Sequence, residues 1–87
     1  MPEELREHRL KRLHMRSMRR GIKEMDLILT AYAARNLAQM DGDTLDTYDA
    51  LLAENDQDLY RWVTGQEPAP DRFSAMISDI SLTFQGE

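Results

Sequence analysis

Apolar residues recur along this chain at steps of three and four, and no segment alternates convincingly with a period of two. The first spacing lays a stripe along one side of a helix, whereas a half-buried strand requires the second. Five helical segments are predicted, at about 3–19, 22–38, 42–54, 56–64 and 70–84. Their stripes are Leu10, Leu13 and Met18; Ile22, Met25, Leu29 and Tyr32; Leu45, Tyr48, Leu51 and Leu52; Leu59, Trp62 and Val63; and Phe73, Met76, Ile77, Ile80 and Phe84. All five are expected to be buried together, with Trp62 in or beside the core. The punctuation agrees. Gly21 breaks the first segment, Asp41-Gly42-Asp43 turns the chain and caps the third, Asn55-Asp56 starts the fourth, and Gly65 ends it. Pro68 and Pro70 stiffen the connector before the fifth segment, where Pro70 suits a first helical turn. With 87 residues the chain has room for one core, so the expected fold is all-α, a compact five-helix bundle forming a single domain over residues 1–87.

There is no cysteine, which excludes disulfides, thiolate metal sites and a cysteine nucleophile. No apolar run approaches the roughly 20 residues of a membrane-spanning helix, and none near the N-terminus reads as a secretory signal. Charge is unevenly placed. Residues 1–23 hold eight of the eleven Lys and Arg against three acids, a balance of +5, while residues 24–87 carry −10. Such asymmetry has two readings: a polarised binding surface, or two halves that neutralise each other within the fold.

Catalytic motifs are missing. GxGxxG, the phosphate-binding GxxxxGK[ST] and the zinc-binding HExxH do not occur. His8 and His14 are six apart, on different helix faces, and Ser17, Ser74, Ser78 and Ser81 have no evident base. No catalytic residue, metal ligand or cofactor-binding residue is assigned, and the chain is not expected to be an enzyme. An alternative is a small nucleic-acid-binding protein using the basic first helix. A sequence pI near 4.9 and the lack of an aromatic stripe beside the basic residues argue against it.

The segment that stands out is Arg19-Arg20-Gly21-Ile22-Lys23-Glu24-Met25-Asp26. As structure alone, the arginines complement the end of one helix, Gly21 takes a left-handed turn, and Glu24 and Asp26 favour the start of the next. As a binding corner, Arg20 offers a planar fork of donors, Gly21 a bare backbone, and Glu24 an acceptor. Both readings stay open on the residues alone; if the corner binds a partner, the candidate residues are Arg20, Gly21, Glu24, Arg19 and Asp26.

Within this segment Arg20-Gly21-Ile22-Lys23-Glu24-Met25-Asp26 matches Arg-Gly-x-x-Glu-x-Asp. A second block, Leu51-Leu52-Ala53-Glu54-Asn55-Asp56-Gln57-Asp58-Leu59-Tyr60-Arg61-Trp62-Val63-Thr64-Gly65, carries Leu-Leu followed by Asp-x-Asp-Leu-Tyr-x-Trp. Together they resemble the succinate dehydrogenase assembly factor 2 family, over roughly residues 10–66. The resemblance implies a helper that binds the flavoprotein subunit of succinate dehydrogenase, or of the related fumarate reductase. It promotes covalent attachment of FAD to a histidine of that subunit, which itself holds the flavin. No stably bound cofactor, nucleic-acid partner or membrane partner is then expected. Because the signature lies so near the N-terminus, the resemblance also implies a bacterial cytoplasmic protein.

Overall fold

The computed structural model describes residues 5–18 and 20–85, and those residues form five α-helices and no strand. They are α1 Arg6–Ser17, α2 Lys23–Asn36, α3 Gly42–Leu52, α4 Asp56–Val63 and α5 Asp71–Gln85, with a single 3-10 turn at Leu37–Gln39 after α2. Side-chain caps set two of the starts. Asp41 accepts from the Thr44 N–H at 2.8 Å and Asn55 from the Gln57 N–H at 2.8 Å, each satisfying a donor that the helix leaves unpaired. Gly65 ends α4 at φ +82°, a left-handed conformation that costs glycine little. Its N–H donates to the Trp62 carbonyl and that of Gln66 to the Arg61 carbonyl, the paired bonds of a Schellman turn.

α2 is the central element. It packs against α1, α4 and α5, while α5 also covers α3 and α4. Met25, Leu29, Leu13, Leu45, Tyr48, Leu51, Leu59, Phe73 and Ile80 are all but sealed from solvent in one cluster. Trp62 is half-buried on its edge, with its ring 6.1 Å from that of Phe73. The expected stripes thus meet, with two corrections. Met18 and Phe84 are exposed, because α1 ends at Ser17 before Met18 can continue the stripe, and because the α5 register carries Phe84 past the edge of the core.

One polar contact lies inside this core. Ser17, on the last turn of α1, donates to the Leu13 carbonyl at 2.8 Å and lies 2.6 Å from the Tyr48 hydroxyl. With its single proton directed to Leu13, Ser17 Oγ accepts from Tyr48, and both hydroxyls are satisfied. Burial pushes the Tyr48 phenol up to about 12. Tyr32 is likewise pushed up to about 12, by burial first and the Asp79 charge second.

Candidate functional site

The basic face of α1 is zipped onto acidic α3. Arg9 pairs with Asp46, and both Arg12 and Arg16 pair with Asp49. One turn earlier, Arg6 donates to the carbonyls of Ala38 at 3.1 Å and Met40 at 2.7 Å. Partial burial pushes the Asp49 carboxyl up, but the Arg12 hydrogen bond and the Arg12 and Arg16 charges outweigh it, so the group titrates below the ordinary carboxylate range. Of the two readings of the charge asymmetry, neutralisation within the fold describes this face. A free row of arginines turned toward phosphates is not what α1 presents.

The ladder ends at the signature. Arg20 lies in the connection between α1 and α2, and its side chain is only 12% exposed. Its Nε and Nη2 donate to Asp56 Oδ1 at 2.7 and 2.6 Å. Its Nη1 donates to the carbonyls of Arg16 at 3.2 Å and Leu52 at 3.0 Å, and Nη2 reaches that of Glu54 at 3.4 Å. The physical logic is plain. The ends of α1 and α3 both leave carbonyls without intrahelical donors, and one guanidinium supplies them. Asp56 opens α4, where an anion is favoured by the helix dipole. Its second oxygen, Oδ2, accepts from the Gly21 N–H, so one carboxylate grips both the arginine and the glycine of the motif.

Two expectations change here. Arg20 does not stand free for a partner, because its donors are engaged within the chain. Gly21 does not take the left-handed turn; among the described glycines only Gly65 has positive φ. Gly21 lies in close approach to Asp56 instead. A Cβ at that position would lie 3.2 Å from Asp56 Oδ2, tighter than ordinary contact. The chain reverses through extended residues at Met18 and Ile22, with α2 starting at Lys23.

Asp26 is half-buried in the first turn of α2 and accepts from Thr30 Oγ1 at 3.2 Å. Arg19 lies outside the described residues. Glu24 is different in kind: it is exposed and makes no ion pair or hydrogen bond among the described residues. The structure therefore gathers Arg20, Gly21 and Glu24 at one corner but gives them unlike tasks, the first two holding the backbone and Glu24 facing solvent. The sequence places Asn55-Asp56 at the start of α4, which the structure bears out, but does not by itself assign Asp56 its bonds to Arg20 and Gly21. The N-cap is Asn55, and Asp56 clamps the corner. The signal was its place in the second block, whose Asp-x-Asp needs only one acid per helix start.

The described surface carries grooves that include two of about 340 Å³ and one of about 260 Å³. Two share Tyr32, Thr44 and Asp79 and are rimmed by Asp41 or Asp43. The third lies between α2 and α5, beginning at Glu24. No group of three or more His, Cys, Asp or Glu among the described residues is arranged to hold a metal ion.

The family model described as flavinator of succinate dehydrogenase matches residues 11–83. This chain belongs to that family. Curated relatives include succinate dehydrogenase assembly factor 2 of Candida glabrata, 48% identical over 65 residues, covering 71% of this chain and 42% of the relative. That of Meyerozyma guilliermondii is 42% identical over 73 residues, covering 80% and 54%. Assembly factor 2-A of Drosophila mojavensis is 36% identical over 81 residues, covering 91% and 52%. The chain thus spans about half the length of the curated relatives it matches. All three are named as mitochondrial proteins. That overturns the expectation of a bacterial cytoplasmic protein, for relatives of this domain occur in the mitochondria of fungi and flies, and the position of the signature is no guide to compartment.

Proposed function

We propose that this chain binds the flavoprotein subunit of succinate dehydrogenase, or of the related fumarate reductase, and promotes covalent attachment of FAD to it without being an enzyme itself. Membership of the flavinator family carries this reading, together with a complete signature that leaves Glu24 exposed at a braced corner. The contact is made by Glu24 and the Gly21 backbone, with Arg20 and Asp56 fixing their positions. A braced corner loses little conformational freedom on docking, which favours a defined pose of the partner. The factor then raises the population of a partner conformation in which histidine and flavin are aligned.

The grooves at Tyr32 carry Asp41, Asp43 and Asp79, whose charges oppose a pyrophosphate, against the single cation Arg72. The α2–α5 groove is apolar apart from Glu24 and its Thr83 hydroxyl. On the proposed reading the flavin and the bond-forming chemistry are the partner's. The nucleic-acid reading is weakened by the pairing of Arg9, Arg12 and Arg16 with Asp46 and Asp49.

The test is in-gel flavin fluorescence of the denatured flavoprotein subunit, in cells lacking this protein and complemented with variants. Covalent flavin survives denaturation, so the signal reports attachment. Deletion should dim the band, the unaltered chain restore it, and Glu24→Ala, which removes an exposed side chain, restore it poorly. A band of full brightness in the deletion strain would refute the proposal for that flavoprotein.

A further inference from the structure

α2 carries apolar residues beyond those its core buries. Met25, Ile28, Leu29, Tyr32 and Ala33 belong to the core. Glu24, Leu27 and Ala31 flank buried Ile28 on a second face and, with Ile28 at its base and Thr83 and Phe84 of α5, line a groove of about 340 Å³. Its apolar wall is open to solvent: Leu27 is 63% exposed and Phe84 44%. This face begins at the glutamate of the signature, so the groove is continuous with the corner described above.

We propose that this groove takes a large apolar side chain of the flavoprotein partner whose neighbour, within about one helical turn, is an arginine or lysine that meets Glu24. This rests on the functional reading above. Charge selects the occupant. Among the described residues Glu24 is the one charged group lining the groove, and it makes no ion pair or hydrogen bond there. A cation beside the inserted apolar group is attracted, and an acidic segment is repelled. A second copy of this chain, docking face to face about a two-fold axis, would place two Glu24 carboxylates in one interface with no cation from either groove to meet them. Size is consistent, since about 340 Å³ lies at the small end of ligand pockets and suits one or two side chains.

The test places the photocrosslinker benzoylphenylalanine at position 27 or 84, both exposed, and irradiates the full chain with the purified flavoprotein subunit. Mass spectrometry should find the crosslink on a large apolar residue of the subunit with Arg or Lys within about four positions. Pull-down by Glu24→Lys should fall about tenfold, and exchanging the partner's cation for glutamate should restore it. Leu27→Asp should fold like the unaltered chain by circular dichroism and also bind about tenfold more weakly. Crosslinks to a second copy, or to a segment without a cation, overturn the proposal. So does full binding by Leu27→Asp and Glu24→Lys, an outcome that leaves the functional reading standing. If the unaltered chain fails to bind the flavoprotein, the functional reading falls first and this inference with it.

Discussion

Replacing Asp56 by alanine tests the central structural claim, that one carboxylate holds the signature corner. The substitution removes the acceptor of Arg20 Nε and of the Gly21 N–H, and leaves a guanidinium that is only 12% exposed without its counter-charge. Hydrogen bonds to a charged group contribute about 1.5–3 kcal/mol each. Breaking a fully buried ion pair costs about 3–5 kcal/mol. Asp56 itself is 15% exposed, so water recovers part of that, and the Arg16, Leu52 and Glu54 carbonyls still hold Arg20. A loss of about 2–3 kcal/mol follows. With a urea m value of about 1 kcal/mol/M for so small a domain, the unfolding midpoint should drop by about 2–3 M.

Gly21 sharpens the same test. If its Cβ is excluded by Asp56 Oδ2 at 3.2 Å, Gly21→Ala should cost about 1 kcal/mol in the unaltered chain and almost nothing in the Asp56→Ala background. Urea melts of the four proteins, followed by far-UV circular dichroism, give the coupling directly. Equal costs of Gly21→Ala in both backgrounds would refute close approach as the reason for glycine. An Asp56→Ala midpoint within about 0.5 M of the parent would refute the clamp.

The remaining predictions use the same melts. Trp62→Ala should cost about 2–3 kcal/mol, less than the 3–5 of a fully buried aromatic, because Trp62 is only half-buried against Phe73; a variant as stable as the parent would contradict that packing. Tyr48→Phe should cost about 1 kcal/mol by leaving Ser17 Oγ without its donor, and Ser17→Ala combined with it should cost little more. Stability should also depend on pH at both extremes. Asp49 titrates below its unfolded value near 4, so its contribution is present above about pH 4 and disappears as pH falls through the folded value. Tyr32 and Tyr48 are pushed up to about 12, so the stability they favour is present below about pH 10 and is lost as pH rises from about 10 to 12. A flat profile from pH 9 to 12 would show that neither phenol is desolvated in the fold.

The helices and most of the core were legible because they depend on local order. A step of three or four residues is read within one segment, and Leu45, Tyr48, Leu51 and Leu52 needed only their spacing to be placed inside. What was not legible depends on how one helix slides along another. Arg9 meets Asp46 and Arg20 meets Asp56 across 37 and 36 residues of chain, a register set by α1 packing on α3 and by the α3–α4 turn. No local pattern says that an arginine will turn inward, and an ion pair between partly exposed groups is worth too little to impose that register.

The two glycines beside helix ends make the distinction concrete. In sequence Gly21 and Gly65 look alike, each following a helical segment with a cation in its last turns. Gly65 uses the freedom of its backbone, with φ at +82° and nothing within 4 Å of where a Cβ would stand. Gly21 uses the absence of a side chain, with a carboxylate from 35 residues away lying against it. Alanine at position 65 is therefore disfavoured by backbone strain that no second substitution removes. Alanine at position 21 is disfavoured only while Asp56 is present. The glycine of the signature is thus explained by the acid of the second block, which is why the two blocks act as one site despite their separation in the chain.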